Sequence, residues 1–501
     1  MAAIYQNLQL IMRNRVRFDF GQFVRENVTR TWWLTLWLMA LAGITVSFAL
    51  NQLAAAPWLS SLILLIWAVS VLWAIVGELT HRHTSISLWL KNNLYSSISN
   101  ALITLVLTLA ILAALRGLLV YALINASFST DPQLAAQQAN GGAIWGAVID
   151  NLRLLTIFRF PEALDWRIYA TIAMIAVLGG ASVFVYRDTF TGPKNTRRIL
   201  TYLWLLSPVL SYVFLRGVTE SGPLQQINPD QFWGGLLLTM ILSIFSIVVS
   251  FPIGLVLALG RRSQIRGIPA WLTYGVALLI MIWGLVATTP GNLAAARSGL
   301  ERLLAYWPLL VPVVAYLFQR SFHGNVVAAF SVVYIEAVRG VPLITVLFMA
   351  TVMFPLILPP DLEILNTWRV LGGFTLFAAA YLAENVRGGL QSLSKGQYEA
   401  ADALGLSTFD KYRLVILPQA LRAVIPAILG QFIGLFKDTS LVQIVGLFDI
   451  LNVAGTITSQ TKWLGRRAEP YIFIAIVYFI GSAVMTAYSR RLEKRLGVGQ
   501  R

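Results

Sequence analysis

The chain has no cysteine and only three histidines in 501 residues. The first absence excludes a disulfide framework, thiol catalysis and any Cys-ligated metal. The second leaves little for imidazole chemistry: His81 and His83 flank Arg82 at an i,i+2 spacing that shares no helix face, and His323 stands alone. No metal site is therefore expected. Charge is also scarce, at 12% of residues, and acidic residues number 22 against 38 basic ones. No G-x-x-x-x-G-K-[ST] phosphate loop occurs, and the GPKNT run at Gly192 has neither the glycine spacing nor a hydroxyl after the lysine. The chain is thus not expected to hydrolyse ATP by itself or to bind a cofactor. A membrane-embedded enzyme would need convergent nucleophile, base or metal groups, and none is assigned as catalytic.

What is abundant is apolar side chain: 57% hydrophobic residues and a mean hydropathy of +0.71. A soluble domain does not carry that composition, so a polytopic membrane protein is expected. With no water in the bilayer to satisfy backbone groups, its spans should be helices packed in an all-α bundle. Spans of about 20 apolar residues are read at 32–52, 58–77, 98–123, 168–186, 199–215, 232–259, 271–289, 305–319, 342–358, 370–386, 422–446 and 470–489, about twelve in all. The first apolar run begins near Trp32, so no cleavable signal is expected and the first span serves as its own. Span 232–259 exceeds the bilayer, which implies tilt or protrusion; Pro252 should kink it, and Gly254 and Gly260 permit close packing. Trp32, Trp33, Trp58 and Trp307 lie at span ends, as in an interfacial aromatic belt.

The net charge of +16 is dispersed over short loops and tails without a dense basic stripe, which argues against nucleic acid. With the N-terminus placed in the cytoplasm, most basic residues fall inside, from Arg13, Arg15 and Arg17 to Arg490, Arg491 and Arg495. The positive-inside rule then puts both termini and the 390–425 segment in the cytoplasm.

That segment contains EAADALGLSTFDKYRLVILP, Glu399 to Pro418. The alanine-rich start favours a helix, Gly405 offers a left-handed stop, and Ser407 with Asp410 has the spacing of a capping box opening a second helix. Pro418 is expected to close that helix at Leu417. Glu399-Ala400-Ala401, three residues, Gly405, nine residues, Val415, one residue, Leu417 and Pro418 together resemble the EAA loop of ABC-importer permeases. The resemblance implies a type I importer permease core whose loop, through Glu399, Ala400, Ala401, Gly405, Leu417 and Pro418, seats on a cytoplasmic ATPase subunit.

Further stretches resemble the polar amino acid branch of that family: FWGGLLLTMILSIFSIVVSFPIGLVLALGRRS from Phe232, YIEAVRGVPLITVLF from Tyr334, AAAYLAENVRGGLQSLSKGQYEAADALG from Ala378 and GQFIGLFKDTSLVQIVGLFDIL from Gly430. WGAVIDNLRLLTIFRFPEALDWR from Trp145 is similar to the external region of larger, general L-amino acid members. These imply an N-terminal extension over 1–225 with about five spans and an external loop at 125–167. A permease core follows over 226–495, interrupted by a two-helix insertion at 267–325, with the coupling loop at 390–425. They also imply an ATP-driven importer in a bacterial inner membrane. Its partners would be ATPase subunits that use ATP and Mg, a second permease subunit or copy, a solute-binding protein, an L-amino acid and lipid. Alternatives are a permease for another small polar solute, or a secondary transporter or channel; the sparse intramembrane charge disfavours a proton relay.

Pathway candidates follow from the cost of burying polar groups in a membrane. Thr239 lies on the first core helix; Glu384 and Arg387 sit three apart near a span end; Lys437 and Asp438 interrupt an apolar run before Thr439 and Ser440, as in the broken helices that frame transport sites. Glu384 and Arg387 can equally form a local i,i+3 pair, and Lys437 with Asp438 an external turn. Arg339, Gly340 and Pro342 in EAVRGVPL mark a bend or gate in the core.

Overall fold

The computed structural model describes residues 98–497, apart from 188–191, 194, 264 and 266, together with isolated positions before residue 98. The spans expected at 32–52 and 58–77, and His81 and His83, lie outside the described residues. The chain divides into two compact units, Met1–Ile149 and Asp150–Arg501. Within the first, α1 (Ile98–Leu119) continues through a π-turn at Val120–Ile124. Asp131 then caps α2 (Pro132–Gln138) by accepting from the backbone N–H groups of Gln133 and Leu134.

The second unit takes in residues 150–225, which the sequence reading assigns to the extension. It begins with α3 (Leu152–Ile157), α4 (Asp165–Val185) and α5 (Asn195–Arg216), of which α4 and α5 pack on each other. Arg153 grips Asp165 through both guanidinium nitrogens, at 2.5 and 3.1 Å. The fully buried Arg167 donates to the carbonyls of Pro223 and Gln225 at 2.8 and 2.9 Å, which ties the connector after α5 to α4.

The centre of this unit is a pair of 27-residue helices, α6 (Gly235–Arg261) and, further along the chain, Asn366–Ser392. Ser246 meets Thr375, Gly254 meets Leu382 and Arg262 meets Leu390, so the two run in the same direction. They touch closely because Gly254 has no side chain: a Cβ there would fall 2.6 Å from Leu382 Cδ2 and 2.8 Å from the Ala379 carbonyl oxygen. Gly260 likewise accommodates Ser331 Oγ. Gly254→Val should therefore overpack the pair and cost about 1–3 kcal/mol, read as a lower unfolding temperature in detergent. Gly430→Ala, inside the helix Leu417–Asp438 and with a Cβ that would meet open space, should not lower that temperature, since alanine is the better helix former.

Between these two helices the chain makes a detour. α7 (Ala270–Trp283, prolonged through a π-turn to Ala295) packs against α8 (Val311–Phe322). The two arms leave and rejoin the core at one point, where Ile268 N–H donates to the Gly324 carbonyl at 2.9 Å and Gln319 reaches the Ile268 carbonyl at 2.9 Å. His323 and Gly324 take left-handed backbone angles of +51° and +75° there. His323 thus ends α8 and stands in no metal cluster among the described residues. α9 (Val326–Arg339) follows at 101° to α8, so the segment read as an independent span at 305–319 is instead one arm of a bent pair. The left-handed residues and the Asn325 cap supply that bend.

α10 (Leu343–Phe348) leads through a π-turn to Leu356, and the central helix Asn366–Ser392 is α11. Asp230 caps α11 from outside, accepting from the N–H groups of Asn366 and Thr367 at 2.8 and 2.7 Å. After α12 (Lys395–Ala403), α13 (Leu417–Asp438) returns antiparallel to α11. Gly389 faces Ala420, and Gln431 bonds both the Ala378 carbonyl and Asn385. The short α14 (Ile450–Ile457) and the long α15 (Ala468–Leu496) complete the fold. Among the described residues six helices are long and apolar enough to cross a membrane, or seven if the bent pair is one span, with shorter apolar helices at Ala113–Ile124 and Leu343–Leu356.

Candidate functional site

The segment 395–418 is a helical hairpin at the end of the bundle shared by Arg261 and Ser392. α12 stops because Gly405 takes φ +69°, and the Gly405 and Leu406 N–H groups then bond the Asp402 and Ala401 carbonyls in a left-handed cap. Ser407 Oγ accepts from the Asp410 N–H at 3.1 Å and donates to the Asp410 carboxylate at 2.6 Å. Half of the expected capping box is present; the reciprocal bond goes to the hydroxyl and not to the Ser407 N–H. Lys411 reaches across to Asp402 at 2.6 Å, and Tyr398 and Tyr412 meet edge to face.

Pro418 does not close this element, contrary to expectation. Leu417 is helical (φ −61°, ψ −44°), and the chain continues from Thr408 through Val445 as one apolar helical path. A π-turn at Lys411–Ile416 immediately precedes the proline, so Pro418 falls in the first turn after a widened stretch. There its missing N–H and its ring do not break the helix.

Of the coupling candidates, Glu399, Ala400, Gly405 and Pro418 are exposed, Leu417 is half-buried, and Ala401 is buried against the bundle. The hairpin surface also presents two residues the motif did not single out, Leu404 at 78% and Phe409 at 70% exposure. Large apolar side chains beside a glycine turn, held by a Lys–Asp brace, form a preshaped knob.

The ends of α6 and α9 meet α11 at Glu384, which is 20% exposed. Arg387 clasps it with both nitrogens, Arg339 lies 3.4 Å away and Arg261 3.8 Å, while Arg261 also pairs Glu336 at 2.8 Å. The i,i+3 pair read from the sequence thus exists, but as one edge of a five-residue network. Arg261 and Glu336 were missed. Their signal was present, since each sits at the charged end of an apolar helix, but no periodicity says that those ends converge. Arg339 closes α9, Gly340 caps it in right-handed geometry, and Pro342 turns extended (φ −59°, ψ 145°) before α10. These three residues do form a bend, and Arg339 additionally stacks 5.6 Å from the Tyr381 ring centroid.

A second polar group lies at the opposite end of α6. Thr239, fully buried, donates to the Gly235 carbonyl at 3.1 Å and accepts from Ile450 N–H at 3.4 Å. Thr439, also fully buried, is 3.2 Å from the Tyr478 hydroxyl, which faces Thr239 as well. Two threonines read from separate motifs are therefore brought together by a tyrosine that sequence reasoning missed. Asp449, buried beside them, caps α14. Lys437 and Asp438 are the last residues of α13, and the chain tightens into a 3-10 turn over Thr439–Val445 before reversing at Gly446 (φ +82°). The turn expected at 437–438 thus falls some residues later, where a glycine allows it. Ser440 bonds back to the Lys437 carbonyl and stays apart from the Tyr478 group.

The protein family described as "Binding-protein-dependent transport system inner membrane component" matches residues 311–498. An inner membrane amino-acid ABC transporter permease protein, YhdY, of Escherichia coli (strain K12) is 33% identical over 421 residues, 84% of this chain and 96% of that protein. The glutamate/glutamine/aspartate/asparagine transport system permease protein BztC of Rhodobacter capsulatus is 34% identical over 363 residues, covering 70% of this chain and 68% of its own length. A glutamate/aspartate import permease protein, GltK, of Escherichia coli O6:H1 is 37% identical over 233 residues, 44% of this chain and 96% of that one. A crystal structure of an amino acid ABC transporter with histidines overlaps 51% of this chain at 24% identity, with a TM-score of 0.35.

Proposed function

The chain belongs to the inner-membrane permeases of amino-acid ABC transporters, and on that premise we propose that it forms one transmembrane half of an ATP-driven importer for polar or general L-amino acids. The observation that carries the mechanism is the 395–418 hairpin, a braced knob with Glu399, Ala400, Leu404, Gly405 and Phe409 exposed. In this reading the knob sits in a groove of a cytoplasmic ATPase subunit, which uses ATP and Mg; this chain binds neither. A second permease, identical or different, faces it across the path, and a solute-binding protein delivers the amino acid from outside. Both chain termini lie in the cytoplasm, consistent with the basic residues in the tails.

ATP-bound closure of the two ATPases draws the hairpins together. Because the helical path from Thr408 has no break before Val445, that displacement enters α13 directly and reaches the Thr239, Thr439 and Tyr478 hydroxyls at its far end. Lys437, Asp438 and Ser440 line the outer part of the path, with the buried Thr239 and Thr439 hydroxyls inside the protomer wall beside them; Glu384, Arg387 and the Arg339-Gly340-Pro342 bend govern its inner part. Residues 226–495 form the permease core, 267–325 an inserted helical hairpin and 1–225 an N-terminal extension. The test is uptake of a panel of radiolabelled L-amino acids into vesicles bearing the assembled complex. The expected result is saturable uptake of polar members, suppressed by unlabelled competitors; a panel that shows none while another polar solute is accumulated would replace the substrate class.

A further inference from the structure

Two adjacent arginines close α6, and they point apart. Arg261 bonds Glu336 on α9 at 2.8 Å and approaches Glu384 on α11 at 3.8 Å. Arg262 turns the other way, donating to the Tyr398 hydroxyl at 2.9 Å and the Leu390 carbonyl at 3.3 Å, with its guanidinium 5.7 Å from the Tyr398 ring centroid. Tyr398 is on α12, one residue before Glu399. It also donates to the Leu390 carbonyl at 3.0 Å and packs on Tyr412.

A basic residue at a helix C-terminus complements the helix dipole, which accounts for two arginines but not for their division between two partners. The planar, multi-donor guanidinium suits the second arm, because it donates to the tyrosine hydroxyl and the Leu390 carbonyl and also lies near the same ring. The hairpin thus has two routes into the bundle. One is covalent, through the π-turn into α13. The other is non-covalent, through Tyr398 and Arg262 into the end of α6, which is itself locked to α11 at Gly254.

We infer that Arg261 and Arg262 form a fork that transmits movement of α12 to α6 and to the Glu384 network, making Arg262 and Tyr398 positioning residues for transport. This rests on the reading of 395–418 as the ATPase-coupling hairpin. Without the fork, closure moves α13 but leaves α6 and the arginines around Glu384 behind.

The experiment compares wild type, Arg262→Ala and Tyr398→Phe, each assembled with its ATPase subunits in vesicles, and measures ATP hydrolysis and labelled amino-acid uptake in the same sample. Both variants should retain the ATPase subunits and hydrolyse ATP while uptake per ATP falls by about fivefold or more, the range of a site-to-site coupling. Tyr398→Phe, which keeps the ring, should lose less than Arg262→Ala. An uptake-to-hydrolysis ratio equal to wild type in both variants would overturn the fork. If Arg262→Ala does not reach the membrane, the Tyr398→Phe ratio decides alone. A wild-type chain that retains no ATPase subunit would instead refute the coupling-hairpin reading on which the fork stands.

Discussion

Gly405→Asp is expected to abolish ATP-driven uptake while the chain remains inserted at wild-type levels. Gly405 holds φ +69° at the tip of the hairpin, and a Cβ there would meet nothing within 4 Å. The substitution therefore does not clash within the chain. Aspartate is also among the residues that tolerate left-handed backbone, so the turn itself should persist. What changes is the surface: an ionised carboxylate stands beside Leu404 and Phe409, on the face proposed to enter the ATPase groove. Burying an unpaired charge there costs on the order of 3 kcal/mol, which is roughly a hundredfold in coupling. Gly405→Asn separates the terms, since it keeps the side-chain shape and left-handed tolerance but adds no charge. It should retain most of the uptake that aspartate loses. Equal loss in both variants would assign the effect to backbone strain, and full activity in both would remove the hairpin tip from the contact.

The second large effect is expected at Glu384. Its carboxylate is shared by Arg387, Arg339 and Arg261, so Glu384→Gln leaves three guanidinium groups gathered around a neutral amide, with Glu336 paired to Arg261 alone. Breaking a partly buried network from its centre costs about 1–3 kcal/mol. The unfolding temperature in detergent should fall accordingly. Adding Arg339→Gln to Glu384→Gln should recover part of that loss, because it removes one of the mutually repelling charges. A double variant less stable than the single would show that Arg339 is held by its contact with Tyr381 and not by the carboxylate.

Much of this arrangement was legible in the sequence, and the limits are instructive. Composition and run length sufficed for an all-α membrane bundle, because the bilayer leaves the backbone few alternatives. The glycine stop at 405 and the serine cap at 407 were readable since both act within a few residues of themselves. Gly254 and Gly260 were readable as contact points for the same kind of reason, lacking side chains on a long apolar helix. Pro418 was misread because the local rule, that a residue before proline avoids helix, is overridden by a π-turn one step earlier, and nothing in KYRLVI announces a π-turn. The bend that follows the segment 305–319 was not read, because hydropathy is blind to the left-handed pair His323 and Gly324.

The sites divide along the same line. Glu384 with Arg387 lies on one helix and could be paired by spacing. Arg261, Glu336 and Arg339 reach it from two other helices, so their convergence exists only in the folded bundle. Thr239 and Thr439 were each nominated on chemistry, but Tyr478, which joins them, sits among aromatic residues of α15 that carry no distinguishing pattern.

The central claim is that this chain moves amino acids only when an ATPase drives it. It is tested most directly by labelled L-amino acid uptake into vesicles that contain the chain with its ATPase subunits, compared with vesicles in which those subunits are absent or cannot hydrolyse ATP. Uptake in the first sample and none in the others is the result predicted. Uptake of equal rate in all of them would contradict it and identify a secondary transporter or channel.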